Sequence, residues 1–215
     1  LCRMKRHGVT VIELGAQSMD DAVLRRAKRG HTAADTARAV ALIQQAGISL
    51  VLQTMAGLPG DTRETVRYTA QRIAALKPDG VRIYPVAVLP DTPLYDDWQA
   101  GRYQPLDVET AAVWCADMLE VFEQEGIAVI RVGLNPTEEL DSTVAAGAYH
   151  PAMGELTYSE LWYRRLCRQI RETGERTITV PQRELSRAIG HKKRNVLRLR
   201  EQFGEIRIVA QENDL

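Results

Sequence analysis

Polar side chains follow two apolar stretches of this sequence at the points where those stretches end. The segment ELGAQS at 13–18 brings a carboxylate, an amide and a hydroxyl together beside the flexible Gly15, and Gln53 precedes the turn sequence GLPGDT. Arg29 closes a short helical stretch after the first group. Amide, carboxylate and guanidinium groups bind polar ligands by directional hydrogen bonds, although a lone buried glutamine is more often satisfied within the protein. The chemistry of this chain is therefore expected at strand ends.

The elements that would position these residues alternate along the first 134 residues. Short apolar runs, largely β-branched and typical of strands buried on both faces, lie at 10–14, 49–55, 81–89 and 128–134. Helical periods separate them: Asp61 is predicted to cap one helix with Glu64 closing a capping box, and another helix over 107–125 buries Cys115. Strand, helix and strand at this spacing predict a parallel sheet with right-handed crossovers, whose ligands bind at the carboxyl ends of the strands.

The predicted fold class is α/β, the later half of a partial (β/α) barrel with a small basic αβ element after it. Four strands alone would leave a long apolar edge open, and the chain begins with Leu1, so we expect an earlier part of the barrel to be missing. Three regions are predicted: the barrel part over 1–153, a basic connecting helix over 154–175, and the αβ element over 176–215. The segment 136–154 is predicted to be loop-like, with a candidate short strand near Val144.

Composition restricts the class of protein. Hydrophobic residues make up 45% and charged residues 26% of the chain, which is typical of a globular protein. The net charge of zero hides a segregation: residues 1–163 hold 15 basic and 21 acidic side chains (15 − 21 = −6), whereas 164–207 hold 13 and 5 (13 − 5 = +8). No apolar run is long enough to span a membrane, and three scattered cysteines favour a reducing, cytoplasmic setting.

The strand-end residues resemble the later part of the radical S-adenosylmethionine (SAM) fold. The similarity is to the branch with oxygen-independent coproporphyrinogen III oxidase and the Elongator catalytic subunit. There, a G-x-Q-S strand end, a later arginine and a polar residue before GLP line the SAM pocket, and the matching residues here are Gln17, Arg29 and Gln53. The stretch VRIYPVAVLPDTPLYDDWQAGRYQPLDVE at 81–109 is also similar to this branch. The resemblance covers about 9–149.

The resemblance implies a set of SAM-binding residues. Glutamine amides bridge the ribose hydroxyls, Arg29 pairs with the SAM carboxylate, and backbone near Tyr84 lies against the adenine. The implied cofactor-binding residues are Glu13, Gln17, Ser18, Arg29, Gln53, Gly57, Tyr84 and Val86. Tyr149 and His150, which follow the fourth strand, are candidate substrate contacts. The alternative is that both residues only stabilise a structured loop.

The resemblance also implies a [4Fe–4S] cluster, held by a C-x3-C-x2-C sequence that this chain does not contain. None of Cys2, Cys115 and Cys167 is expected to be a cluster ligand; Cys115 is predicted to lie in the core. Four histidines show no metal-ligand spacing. The cluster ligands are thus expected in the missing part, and this chain alone is expected to be inactive.

The tail over 176–209 has the order strand, helix, turn, helix, strand, and resembles a KH-type RNA-binding element. In that family an Ile-Gly-x-x-Gly loop grips the RNA backbone, and Lys193 replaces the second glycine here. The resemblance implies RNA contacts by Gly190, His191, Lys192, Lys193 and Arg194. The alternative is a packing element with a solvated basic face.

The function favoured by these observations is that of a fragment of a cytoplasmic radical SAM enzyme. Such an enzyme takes electrons from a reductant and cleaves SAM to a 5′-deoxyadenosyl radical that abstracts hydrogen from a small-molecule or RNA substrate. The alternatives are an RNA-binding or RNA-modifying protein that uses the basic tail, and a cluster-less β/α protein that binds a nucleotide.

Overall fold

The structure is a computed structural model that describes residues 1–211, and it divides into two compact units, residues 1–153 and 154–215. The first unit contains α1 (Cys2–Arg6), β1 (Val11–Gln17), α2 (Asp21–Arg26), α3 (Ala33–Gln45), β2 (Ser49–Ala56), α4 (Arg63–Ala75), β3 (Gly80–Pro85), β4 (Ala87–Val88), α5 (Pro93–Gln99), α6 (Val108–Gln124), β5 (Ala128–Val132), α7 (Glu138–Thr143) and β6 (Ala146–Gly147). The elements of the second are α8 (Met153–Thr173), which begins at the boundary, β7 (Thr177–Val180), α9 (Leu185–Ile189), α10 (Arg194–Phe203) and β8 (Arg207–Ala210).

The first unit is built on a parallel sheet with strand order β1-β2-β3-β5. Each strand lies beside the next one in the chain, so right-handed crossovers place the connecting helices α3, α4 and α6 on the same face. This confirms the predicted parallel α/β architecture.

The two faces of the sheet differ in character. On β2, Leu50, Leu52, Thr54 and Ala56 are completely buried towards the helices. Of the alternate residues, which point to the other face, Gln53 and Met55 are only partly buried. We call this second face the open face of the sheet. Polar residues such as Gln53, Glu13 and Arg82 lie on this face.

Two local predictions are wrong. The run 81–89 is not one strand: β3 ends at Pro85, and β4 pairs antiparallel with β6 instead. Helix α4 is capped by Thr62 with Thr65 closing the capping box, not by Asp61 and Glu64. Asp61 does not cap the helix because its carboxylate accepts hydrogen bonds from the preceding loop.

The segment 136–154, predicted to be loop-like, contains the helix α7 and the strand β6. Its helix begins with Thr137 as the N-cap, whose hydroxyl accepts a hydrogen bond from the amide of Leu140. Acidic residues fill the first turn of this helix and stabilise it by interacting with the positive end of its dipole. The apolar periodicity of so short a helix was too weak to indicate it.

The second unit packs three helices against a two-stranded parallel sheet. Its core joins apolar residues of α8, β7, α9, α10 and the turn before β8: Leu166, Cys167, Ile170, Ile178, Val180, Ala188, Leu199 and Ile206. The basic connecting helix predicted over 154–175 corresponds to α8, which contributes Leu166, Cys167 and Ile170 to this core. Within the part of the chain that the structure describes, none of the helices combines the length and apolar character needed to cross a membrane.

Candidate functional site

A reciprocal pair of glutamine amides lies on the open face of the sheet. The Gln17 amide nitrogen donates to the Gln53 side-chain oxygen at 2.9 Å, and the Gln53 nitrogen donates back to the Gln17 oxygen at 2.9 Å. Each primary amide keeps one N–H and one oxygen lone pair for a further partner. The two residues that the sequence placed at separate strand ends therefore form one hydrogen-bonding unit.

The local backbone is shaped for this pair. Gln17 has a φ of 63°, a left-handed conformation that non-glycine residues seldom adopt, and its carbonyl accepts a hydrogen bond from the Thr54 hydroxyl at 3.0 Å. A Cβ at Gly15 would lie 2.3 Å from the side-chain Nε2 of Gln17. Gly15 thus leaves the space into which the amide folds. Such strained residues are concentrated at functional sites.

Ser18 and Glu13, both expected at this strand end, do not join the amide pair. The Ser18 hydroxyl is buried, lies 3.1 Å from the Thr69 hydroxyl, and accepts a hydrogen bond from the Asp20 amide. Ser18 therefore ties the loop after β1 to helix α4. Glu13 lies on the open face and pairs with Arg82, with 3.1 Å between a carboxylate oxygen and the Arg82 Nε.

Arg29 is held near the end of β1 through its backbone. The His31 ring lies 3.2 Å from the Arg29 carbonyl through Nδ1 and 3.2 Å from the Ala16 carbonyl through Nε2. The Arg29 side chain is exposed and makes no hydrogen bond or ion pair within residues 1–211. Its guanidinium is thus available to an anionic ligand. The position of the His31 ring between these two carbonyls was not predicted from the sequence.

The GLPG turn after β2 is held by a partly buried acid. The Asp61 carboxylate accepts hydrogen bonds from the Gly57 and Leu58 amides at 3.1 Å each and from the Thr65 hydroxyl at 2.8 Å. The Tyr103 hydroxyl donates to the Gly57 carbonyl at 2.6 Å. Gly57 thus anchors a turn whose residues line a cavity of about 440 Å³.

Burial raises the pKa of Asp61 to about 6, against 3.8 in an exposed chain. The folded state then binds the proton more tightly than the unfolded state, so this stabilising contribution is present below pH 4 and is lost as the pH rises through about 6. We expect urea titrations to show it as a fall in the free energy of unfolding over this range. Asp61→Asn should remove that slope, and Asp107→Asn, at an exposed helix cap, should leave it in place. A slope that survives Asp61→Asn would contradict the assignment.

Tyr84 and Val86 differ in what they offer to a ligand. The Val86 amide donates to the Ala56 carbonyl at 3.0 Å, and the Val86 carbonyl accepts from Ala148 at 3.1 Å. Its side chain is buried in an apolar cluster. Val86 is therefore a core residue whose backbone groups are already paired. Tyr84 lies on the open face, where its side chain is partly exposed.

Two arginines of the open face were missed by sequence reasoning. Arg82 and Arg131 are partners in the register between β3 and β5, and Arg82 is also the register partner of Gln53. They lie inside strands that read as apolar runs. Only the alternation of β3 could have indicated that Arg82 shares the open face with Tyr84.

The cysteines do not fit an iron–sulfur cluster. Cys2 is exposed on α1, Cys115 is fully buried, and Cys167 belongs to the core of the second unit. The complete burial of Cys115 confirms it as a core residue and raises the pKa of its thiol to about 12. Among the residues described, no three His, Cys, Asp or Glu side chains lie close enough to hold a metal ion.

Tyr149 and His150 both serve the local structure. The Tyr149 hydroxyl donates to the Asp141 carboxylate, and this bond raises the pKa of the tyrosine. The exposed His150 ring accepts a hydrogen bond from the Ala152 amide at 3.0 Å. These contacts link the end of α7 to the turn before α8.

The basic loop of the second unit separates one buried residue from four exposed ones. Gly190 is buried and has a φ of 78°. A Cβ there would lie 2.7 Å from the Ser159 hydroxyl and 3.2 Å from the backbone nitrogen of Asn195. Gly190 therefore permits close packing inside the unit. The exposed residues are His191, Lys192, Lys193 and Arg194. The two lysines also have positive φ values, of 49° and 62°.

The first unit is a parallel α/β sheet with helices on one face and polar residues on the open face. Comparison with known families shows to which superfamily this fold belongs. Residues 1–73 match the radical SAM superfamily, and residues 78–163 match the radical SAM C-terminal domain. The chain belongs to the radical SAM superfamily. The resemblance deduced from Gln17, Arg29 and Gln53 is thereby confirmed.

Several curated proteins are similar to this chain. It is 37% identical over 112 residues to tRNA uridine(34) acetyltransferase of Methanocaldococcus jannaschii, covering 51% of this chain and 21% of that protein. It is 35% identical over 111 residues to Elongator complex protein 3 of Homo sapiens, covering 47% and 20%. It is 29% identical to protein YhcC of Escherichia coli K12, covering 55% and 39%. The chain thus spans a fifth to two-fifths of these relatives.

A solved structure has the same fold. The archaeal Elp3 of Methanocaldococcus infernus, with an N-terminal deletion of residues 1–46, superimposes with a TM-score of 0.70 at 25% identity, over 86% of this chain and 44% of that one. These comparisons give no support to the KH resemblance of the tail.

Proposed function

We propose that this chain supplies part of the SAM site of a radical SAM enzyme, with the reductive cleavage of SAM as its reaction. The observation that carries the proposal is the reciprocal pair of Gln17 and Gln53 amides on the open face of the sheet. A ribose presents two neighbouring hydroxyls, each of which both donates and accepts. The paired amides offer one unused N–H and one unused lone pair each, which matches such a diol.

The remaining contacts follow from the charges of SAM. The exposed Arg29 guanidinium, on a residue whose backbone carbonyl lies beside the His31 ring, supplies a bidentate partner for the carboxylate. The partly exposed Tyr84 ring lies farther along the open face, where we place the adenine. The iron–sulfur cluster of the superfamily has no ligands among these residues, so in this proposal the chain binds and orients SAM and takes no other part in its reduction.

The experiment is an anaerobic assay of the full-length protein after reconstitution with iron and sulfide, with dithionite as the reductant. We expect 5′-deoxyadenosine to form from SAM, and Gln53→Leu to raise the SAM concentration needed for half-maximal rate. A protein that binds S-adenosylhomocysteine yet forms no 5′-deoxyadenosine would be a cluster-less binder of nucleosides. That outcome would overturn the proposal.

We further propose tRNA as the substrate. The support comes from relatives named as a tRNA uridine(34) acetyltransferase and as Elongator complex protein 3, and from the basic residues of the second unit. Lys192 and Lys193 are exposed lysines in a turn where both have a left-handed backbone conformation. Phosphate contacts of this kind give binding that weakens with salt, because each one releases a condensed counterion.

Replacing both lysines with glycine separates charge from structure, since glycine adopts positive φ without strain. We expect the double variant to stay folded, to bind a tRNA transcript more weakly, and to lose roughly 0.7 to 0.9 of the log–log salt slope per lysine. Lys77→Gly is the matched control, because Lys77 is an exposed lysine with a φ of 51° in the other unit. Equal tRNA affinity and slope in the double variant would contradict this role of the loop.

A further inference from the structure

We infer that Arg82 and Arg131 form an anion site on the open face of the sheet, beside the amide pair, for a carboxylate or phosphate group of a bound ligand. The inference rests on the proposed function only in expecting a small molecule on this face. The residues were assigned no role by the motifs that identify SAM contacts. Their placement, their unused donors and their mutual repulsion each support the inference.

The register of the sheet places the two arginines in one row with the amide pair. Gln53 is paired with Arg82, and Arg82 with Arg131, on successive parallel strands that lie about 4.8 Å apart. Register partners on parallel strands project to the same face. Val132, the residue after Arg131, is buried on the helix side, which places Arg131 on the open face by alternation. An irregularity in β5 before Arg131 makes this register possible.

Most donors of the two guanidinium groups have no acceptor. The Arg82 Nε is buried without a hydrogen bond; it lies 3.1 Å from the Glu13 carboxylate but not in hydrogen-bonding geometry. The Arg82 Nη1 donates to the Tyr84 hydroxyl at 3.5 Å, the limit for such a bond. Arg131 is partly buried and makes no hydrogen bond or ion pair with any residue in 1–211. A guanidinium has five N–H donors, so these two arginines can bind an oxyanion by donating hydrogen bonds to it.

The electrostatics of the row are unbalanced. Two cations sit side by side on neighbouring strands, an arrangement that destabilises a sheet, and among residues 1–211 only Glu13 forms an ion pair with one of them. An uncompensated local cost of this kind is expected where a residue is kept for binding. Arginine suits the purpose because its planar fork engages carboxylate or phosphate through two parallel hydrogen bonds.

The test measures anion binding by the full-length protein with pyrophosphate as the probe. Arg82→Gln and Arg131→Gln should each weaken pyrophosphate binding by about tenfold or more, as expected when a hydrogen bond to a charged group is lost. Arg67→Gln removes an exposed arginine from the outer helix α4 and should have no effect. Arg131→Gln should also leave the melting temperature unchanged or raised, since it relieves repulsion. A purely structural arginine would give a lower one.

Two further ligands identify the source of the anion. If the row holds the carboxylate of SAM, both variants weaken S-adenosylhomocysteine but not 5′-methylthioadenosine, which lacks that carboxylate. If it holds an anionic group of a second ligand, pyrophosphate binding falls and both nucleosides bind as before. Unchanged affinity for pyrophosphate and S-adenosylhomocysteine in both variants overturns the inference. The proposed SAM site is tested separately, because Gln53→Leu should weaken 5′-methylthioadenosine whether or not the arginine row binds an anion.

Discussion

Replacing Gly15 with alanine is expected to lower the affinity for S-adenosylhomocysteine by about tenfold or more while the protein stays folded. The new Cβ would lie 2.3 Å from the Gln17 amide nitrogen, so the end of this flexible side chain must move. The two reciprocal amide bonds then break, and the amides no longer present their free groups side by side. Titration calorimetry of the full-length protein measures the loss.

A matched control lies on the same face of the sheet. A Cβ at Gly80 would come within 2.7 Å of the Ile130 Cδ1, also the end of a flexible side chain, but far from any amide of the pair. Gly80→Ala should therefore bind S-adenosylhomocysteine as the unmodified protein does. If Gly15→Ala binds as tightly as Gly80→Ala and both are folded, the geometry of the amide pair does not determine binding.

Arg63→Ala is expected to destabilise the first unit by about 3 kcal/mol, the lower part of the range for breaking an ion pair with a buried partner. The Arg63 Nε and Nη2 bind the two carboxylate oxygens of Asp117 at 2.6 and 2.9 Å and join α4 to α6. Asp117 is only 2% exposed, whereas Arg63 is half-exposed. Removal of the arginine leaves the buried carboxylate without its bidentate partner. Chemical denaturation gives the free energy of unfolding.

The control for this prediction is Arg67→Ala, one turn further along the same helix. Arg67 is exposed and makes no hydrogen bond or ion pair with the residues described, so its loss should change stability by less than about 0.5 kcal/mol. Similar stabilities for the two variants would mean that the Arg63–Asp117 pair adds nothing to the packing of α4 on α6.

The part of the site that the sequence predicts is the part fixed by strand order and strand ends. Gln17 ends β1 and Gln53 lies in the second half of β2, and parallel strands joined in sequence bring such positions to one end of the sheet. Their pairing is a direct consequence of that topology. Helix α6 was likewise predicted closely, because seventeen residues with one apolar face give a strong periodic signal.

The remainder depends on contacts between distant residues. The Ser18 hydroxyl, a predicted ligand contact, also lies 3.1 Å from the Thr69 hydroxyl far along the chain on α4, and no pattern in the sequence indicates this contact. Asp61 was expected to cap a helix, yet its oxygens accept from the amides of the GLPG turn, which leaves Thr62 as the cap. Arg131 shares a row with Arg82 only through an irregularity in the register of β5, which no pattern in the sequence indicates.

The measurement that tests the central claim most directly is a double-mutant cycle of Gln17 and Gln53 with S-adenosylhomocysteine as the titrant. Because the two amides act as one unit, Gln17→Leu and Gln53→Leu should each weaken binding, and the double variant should lose little more than either single variant. Gln104→Leu, outside the sheet, serves as the control. Affinity that is unchanged in both single variants, with the protein folded, would contradict the assignment of this face as the SAM site.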